Sequence, residues 1–292
     1  MRGNTTSDCV RLPTYRAFLL VSLVAMASLM LGHQLCAAPD ATPAPAPEKT
    51  HILLVTGVDY PGHLWRRTAP VLADALRKDP RLEVFTVEDP EFLDSPAINK
   101  YDLILLHFQN WRQPGPGEGA RENLRKFVEG GKGLALAHFA CGAWFDEWPE
   151  FSKLAGRTWA GLGPKVHQHD PYGPFRVELA RPLHSIVQGM KDFDTQDELY
   201  TCLVGDYPIE VVAQAMAKDE KFYPIAFVSQ YGKGRTFHCV LGHDAIALNV
   251  PGVQELYRRG CAWAAGLPPV APPPPAQPAA VHPAQPSSAG TH

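Results

Sequence analysis

Residues 102–139, DLILLHFQNWRQPGPGEGARENLRKFVEGGKGLALAHF, hold two apolar runs on either side of a polar turn and an amphipathic segment. Asp102 to Phe108 and Gly133 to Phe139 are near-continuous apolar stretches, the pattern of strands buried on both faces. Between them, Gly117 to Gly130 carries Leu124, Phe127 and Val128 at helical spacing and ends in glycine, as helix C-termini favour. Strand, helix and strand in this order predict parallel neighbours, because parallel strands need a crossover rather than a tight turn.

The same alternation extends outward. His51 to Thr56, HILLVT, is a buried strand ending at Gly57, and Leu64 to Lys78 puts Leu64, Thr68, Val71, Leu72, Ala75 and Leu76 on one helical stripe. Pro70 is tolerated there if it falls in the first turn. Arg81 to Val87 is a further strand around Leu82, Val84 and Phe85. Downstream, Phe151 to Ala155 is a short helix, and Phe175 to Leu179, Ile209 to Ala213 and Pro224 to Ser229 are strands. Gly232-Lys233-Gly234 turns into Arg235 to Val240 as a hairpin, and Pro251 to Ala265 closes the region as a helix with Val253, Leu256, Tyr257 and Ala264 on one face. The fold class predicted is α/β, a mainly parallel sheet with helices on both faces in three layers, with ligand-facing loops at the carboxyl ends of the strands.

The two ends of the 292-residue chain differ from this middle. Arg2, Arg11 and Arg16 precede the uncharged run AFLLVSLVAMASLML at 17–31. As a helix that run rises about 22 Å, short of a bilayer core of roughly 30 Å. Small residues follow at Cys36-Ala37-Ala38, so 1–38 is expected to be a signal peptide and the protein secreted or periplasmic, with an uncleaved membrane anchor as the alternative. Residues 39–48 form a Pro/Ala-rich linker and 267–292 a Pro/Ala-rich tail, segments without ladder or helix hydrogen bonds that are also suited to cell-envelope association. One domain is expected over 49–266.

A formal charge of −3, with acids and bases interspersed, gives no basic stripe and argues against nucleic acid as a partner. Beyond the leader the cysteines are Cys141, Cys202, Cys239 and Cys261, without a CxxC pair or zinc-finger spacing. Three sit in apolar runs; Cys141, followed by Gly142 near a strand end, is the candidate for reactivity.

The histidines carry the chemistry. His63 lies in GVDYPGHLW, His138 ends LALAH, His167 and His169 share KVHQHD, and His243 follows a late strand as LGHD. Each falls near an expected strand end, so a doubly wound sheet gathers several at one rim. His51 and His238 belong to the opposite edge or to packing. The alternative for His138 is a core histidine with satisfied nitrogens, and for HQHD a solvated loop. His167 and His169, two residues apart on extended chain, would face one side and suit an anion or a metal. No spacing fixes a ligand set, so no cofactor is expected, with room left for a weakly bound divalent metal.

Asp59, Asp197, Glu198 and Asp244 are carboxylates able to orient an imidazole, while DTQDELY reads equally as a surface turn and Asp244 as a helix cap. Trp65, Trp111, Trp144, Trp148 and Tyr200 offer stacking faces for a sugar. No Walker or dinucleotide glycine pattern is present.

Seven segments together resemble the ThuA-like, trehalose-utilisation family: VTGVDYPGHLW at 55–65, GGKGLALAHFA at 130–140, WAGLGPKVHQHD at 159–170, ARPLHSIVQGM at 180–190, DTQDELY at 194–200, YGKGRTFHCVLGHD at 231–244 and CAWAAG at 261–266. The resemblance implies a class I glutamine amidotransferase-like, flavodoxin-like fold. It marks His63, His138, His169, Glu198, His243 and Asp244 as polar positions around the pocket. It also implies carbohydrate utilisation, on trehalose-like or oxidised sugar derivatives. Glutamine amidotransferases carry a cysteine on a sharp turn after a central strand; here that strand ends in Leu136-Ala137-His138, and Cys141 comes three residues late. The expected roles are His138 or His243 as acid or base with Glu198 or Asp244 orienting. His63, Asp59, His167, His169, Trp144 and Tyr200 are expected to bind substrate. A noncatalytic carbohydrate-binding or envelope-associated protein is the alternative.

Overall fold

Alternate residues of the central strands enter two different hydrophobic cores. In the strand Thr50–Val55 (β1), Ile52 and Leu54 join one cluster while Leu53 and Val55 join the other, and Leu103–Leu106 (β3) divides in the same way. A strand covered on both faces must be apolar at every position, hence the unbroken runs in the sequence. The computed structural model describes residues 48–159 and 168–271.

A seven-stranded sheet forms the middle layer. With Leu82–Val87 as β2 and Gly133–Ala137 as β4, and with Gly234–Cys239 as β11, the order β2-β1-β3-β4-β11 is parallel throughout. Phe222–Tyr231 (β10) and Glu210–Met216 (β9) extend it antiparallel, β10 and β11 forming the expected hairpin. Helices Trp65–Arg77 (α1) and Pro251–Ala264 (α5) cover one face through Leu72, Leu76, Val253, Leu256 and Tyr257. Glu118–Glu129 (α2) and Phe151–Ala155 (α3) cover the other through Leu124, Phe127, Val128, Phe151 and Leu154. The expected three-layer α/β/α architecture, flavodoxin-like and mainly parallel, is thus the observed one.

Two local expectations change. Pro70 falls in the second turn of α1 rather than the first; it is exposed, so the Arg66 carbonyl it leaves unpaired faces water and the helix continues. The segment around DTQDELY is not a surface turn at its start. Phe193–Asp197 (β7) pairs antiparallel with Gly173–Val177 (β6), and its inward side chains include Thr195 and Asp197. Two short strands, Thr158–Trp159 (β5) and Leu203–Val204 (β8), pair beside it. Ala245–Leu248 forms a one-turn helix (α4).

Two histidines packed inside the fold, His238 and His107, are held neutral by burial. His238 bonds Ala155 O through Nδ1 at 3.0 Å, and burial lowers its pKa to about 4. His107, with Nδ1 3.1 Å from Thr56 Oγ1, is lowered to about 3 by burial and then by His63. Such groups take up protons on unfolding, so their stabilisation is present above the unfolded pKa of about 6.5 and is lost as pH falls towards the folded values. Stability should therefore drop between pH 6.5 and 4 by ~1.4 kcal/mol per pH unit for each such histidine. Urea unfolding across this range should show the slope, and His238→Gln should reduce it by one histidine's share.

Candidate active site

The carboxyl ends of the parallel strands converge on one cavity of about 230 Å³. The loop after β1 supplies Tyr60, Gly62 and His63; the end of β3 supplies Gln109 and Trp111; the end of β4 supplies Phe139; the end of β11 supplies His243. Glu198 and Tyr200 enter from the end of β7, and His169 lies beside them through a bridge to Tyr200. His63, His138 and His243 form one cluster, with ring centroids 5.0 Å apart for His63 and His138, 4.7 Å for His63 and His243, and 5.8 Å for His138 and His243.

His138 occupies the sharpest point of the site. β4 stops at Ala137, and His138 turns the chain into a 3-10 turn at φ +47°, a left-handed conformation uncommon for a non-glycine residue. Its Nδ1 is 2.7 Å from Val240 O. A carbonyl only accepts, so Nδ1 carries the proton and Nε2 presents a lone pair. Tyr200 OH donates to that Nε2 at 2.7 Å, and His63 Nε2 approaches it at 3.0 Å. Burial, then the neighbouring His63, holds the His138 pKa well below the usual imidazole value. His63 falls to about 4 through burial and the nearby His243.

Glu198 is the anion of the cluster. Its Oε2 lies 3.2 Å from His243 Nδ1, an ion-pair distance off hydrogen-bond alignment, and 3.8 Å from Nε2 of both His63 and His138. Its Oε1 is 3.8 Å from His169 Nε2. Burial opposes the charge, but His243, His169 and His63 outweigh it and keep the Glu198 pKa below the usual carboxylate range. Burial likewise opposes charge on His243, yet Glu198, Asp197 and Asp244 hold its pKa above the ordinary value. One imidazole favours its charged form beside two that favour the neutral one.

Asp197 fixes this arrangement from below. Fully buried, it accepts backbone N–H bonds from Gly242 at 2.6 Å, Glu198 at 2.8 Å and His243 at 3.2 Å. Burial pushes its pKa up to about 7 against the pull of those donors. It thereby ties the loop carrying His243 to the strand end carrying Glu198. Gly242 meets the loop's geometry at φ +124°, where a side chain would also press to 3.0 Å from Leu248 Cδ2.

The cavity wall combines aromatic faces with unused donors. Tyr60 and Trp111 meet edge to face at 5.2 Å, and Trp111 lies 5.2 Å from Trp159. Gln109 Nε2 and Trp159 Nε1 are buried without a hydrogen-bond partner among the described residues. Both residues line the cavity, and buried donors are normally satisfied, so these two are exceptions within its wall.

Not every candidate residue converges. Asp59 is exposed and pairs with Arg66 at 3.0 Å, away from the cavity. Trp144 is buried in the opposite core, donating from Nε1 to Pro116 O at 2.8 Å. Asp244 caps α4 by accepting Ala247 N–H at 2.9 Å and also takes Tyr172 OH at 3.0 Å, so Glu198 rather than Asp244 is the carboxylate beside His243. His167 lies outside the described residues. Gln109 and Trp159 are additions to the cavity wall, with His107 buried behind it, and Asp197, read in the sequence only as a carboxylate able to orient an imidazole, is the clamp beneath it. His107 follows β3 as His138 follows β4, a parallel visible in the sequence, and Asp197 shows as the third member of the alternation Phe193, Thr195, Asp197.

Ligand atoms of His63, His138, Glu198 and His243 lie within 4.8 Å of one another. Three imidazoles and a carboxylate suit a borderline divalent cation, and the His138 Nδ1 bond to Val240 O is the support that metal-ligating histidines use. The same His138 lone pair is already engaged by Tyr200 and His63, however. The set is therefore compatible with weak, dispensable cation binding.

These features define a doubly wound α/β protein with an acid/base cluster at the carboxyl rim of its sheet. The chain belongs to the ThuA family, described as trehalose utilisation, whose model matches residues 51–264. A ThuA-like protein of Parabacteroides merdae ATCC 43184 superimposes with a TM-score of 0.66 at 25% identity, over 75% of this chain and 91% of that one. A ThuA-like protein of Bacteroides uniformis ATCC 8492 gives 0.59 at 17%, over 78% and 95%. A β-galactosidase of Rahnella sp. R3 shares the fold over 76% of this chain but 32% of its own, with a TM-score of 0.52 at 14% identity. No curated protein matches the chain.

Two outcomes follow from this geometry. Asp197→Ala strands three backbone donors and should cost about 3 kcal/mol, at ~1 kcal/mol or more per lost partner, measured by urea unfolding; Asp197→Asn, which keeps one acceptor, should fall between it and the parent. Cys141 is buried, raised well above the usual thiol pKa by burial and by Cys202, and lines a different hollow from His243. Iodoacetamide should leave it unmodified in the native protein and alkylate it only after denaturation, as mass spectrometry would show.

Proposed function

We propose that the protein is an exported carbohydrate-utilisation enzyme performing acid/base chemistry on a sugar derivative in the cavity lined by His63, Glu198 and His243, with His138 buried behind them. The observation that carries this reading is that His63, Glu198 and His243 line a single hollow, His243 Nδ1 lying 3.2 Å from the carboxylate and its ring 4.7 Å from that of His63, so that the paired imidazole favours its charged form and the other its neutral one. Acid and base roles are separated by environments that push pKa values apart. His243, paired with Glu198, is the proton donor to a leaving or carbonyl oxygen. The neutral His63, which lines the cavity, is the acceptor for a hydroxyl or carbon-bound proton, and His138, its Nε2 engaged by Tyr200 OH, holds His63 in place from behind. Trp111, Trp159 and Tyr60 offer apolar faces to a sugar ring, and Gln168, His169 and Glu198 line the same cavity as polar partners for its hydroxyls. The volume is below the roughly 300–1,000 Å³ usual for drug-sized ligands, which suits about one sugar ring.

The test is turnover and binding over a panel of trehalose, glucose and their oxidised derivatives. His243→Asn and Glu198→Gln should lower turnover by ~10²–10⁴-fold while changing affinity only a few-fold. With the parent, the rate should fall as pH rises through the raised His243 pKa, which removes the acid, and again as pH drops through the lowered Glu198 pKa, which removes its partner. Tight binding with no turnover by any member of the panel would leave a carbohydrate-binding protein instead.

A further inference from the structure

Two hydrogen-bond partners compete for one lone pair in the histidine cluster. The Nδ1 proton of His138 goes to Val240 O, so its Nε2 has a single lone pair, and Tyr200 OH donates to that lone pair at 2.7 Å. His63 Nε2 nevertheless stands 3.0 Å from the same nitrogen. As a donor it would share an acceptor already filled by Tyr200, and as an acceptor it would face a second lone pair. On the other side of the cluster, His243 Nδ1 is buried 3.2 Å from Glu198 Oε2 without an aligned hydrogen bond. The same oxygen is 3.8 Å from Nε2 of both His63 and His138. Zinc bonds to nitrogen and carboxylate oxygen of about 2.0–2.2 Å place neighbouring ligands of a tetrahedron roughly 3.4 Å apart. The separations of 3.0 to 3.8 Å bracket that value, and all four ligand atoms lie within 4.8 Å of one another.

We propose that zinc binds reversibly to His63 Nε2, Glu198 Oε2 and His243 Nδ1 and switches off the acid/base pair, and that Tyr200 keeps this affinity low by holding the fourth ligand, His138 Nε2. Three protein ligands make an open, weak site; a fourth would close it into a structural one. Tyr200 is buried, and its hydroxyl is what separates the two states. With that hydroxyl gone, His138 keeps its Val240 support, the kind of outer bond that orients metal-ligating imidazoles, and its lone pair is free to complete the tetrahedron. The switch follows from the electron count. An imidazole nitrogen bound to zinc uses the electron pair that would otherwise hold a proton, so His243 cannot donate and His63 cannot accept while the ion is present. Magnesium, which favours oxygen ligands, is excluded by two nitrogens in the set. The inhibition rests on the acid/base reading above; the affinities do not.

The test is titration of the chelator-treated full chain with zinc chloride, by calorimetry and by competition with a chromophoric chelator, with magnesium chloride as the comparison. The parent should take up one zinc ion and no magnesium, and should release the zinc to EDTA with its circular dichroism unchanged. Tyr200→Phe should bind zinc 10-fold or more tightly than the parent, an increase that a merely structural tyrosine would not produce. His63→Ala and His243→Ala should each weaken binding 10-fold or more, and His184→Ala, a histidine away from the cluster, should leave it unchanged. Histidine ¹⁵N spectra of the parent provide a readout without any variant: zinc should shift Nε2 of His63 and Nδ1 of His243 and leave His138 as it was. No one-to-one zinc binding, zinc shifts confined to other histidines, or affinity unmoved or lowered in a folded Tyr200→Phe would overturn the site. Turnover of whichever sugar proves to be a substrate should fall in step with zinc occupancy and return with EDTA. Full activity at saturating zinc would overturn the switch. Should no sugar be turned over, the acid/base reading and the switch fall together, and the Tyr200→Phe affinity alone decides the zinc site.

Discussion

A single buried carboxylate holds the site together. Asp197 takes N–H bonds from Gly242, His243 and Glu198, groups that arrive from two different sheets. Buried backbone donors must be paired, and here one acceptor pairs three of them, so the loop after β11 and the end of β7 move as one piece. The ion pair between His243 and Glu198 is a consequence of this clamp. Neither side chain needs a long, flexible reach, and each is presented from a backbone already fixed.

That fixed backbone sets the electrostatics. Where water is sparse, each imidazole takes the protonation state its immediate neighbours favour, because desolvation of a charge is costly without a partner. His243 has Glu198, Asp197 and Asp244 close by and gains a proton readily; His63 and His138 face one another, with burial the dominant influence, and remain neutral. The cluster therefore stores a donor and an acceptor within one ring's width, an arrangement that three equivalent solvated histidines would not produce.

The elements of the sheet were legible because strands covered on both faces are unbroken apolar runs; HILLVT, DLILLHF and GLALAHF show this without ambiguity. Convergence of His63, His138 and His243 was legible for a related reason, as each follows a strand whose carboxyl end points the same way. β7 was not, because its inward residues include Thr195 and Asp197, and polar inward residues erase the hydropathy alternation that marks a half-buried strand. Likewise, no spacing reveals that Gln109 and Trp159 line the cavity with buried donors left unpaired, since satisfaction of a donor depends on residues far apart in the chain. Trp144 and Asp59 lie apart from the cavity for ordinary reasons: one completes a core, and the other pairs on the surface with Arg66.

The turn after β4 decides which side chain meets the cluster. At its first residue His138 takes φ +47°, while the thiol of Cys141 three residues later is buried and held protonated by that burial. An imidazole at this turn has its Nδ1 committed to Val240 O and its Nε2 lone pair taken by Tyr200 OH with His63 3.0 Å away, so the left-handed residue acts as the fixed point from which the neighbouring His63 and Tyr200 are positioned at the cavity.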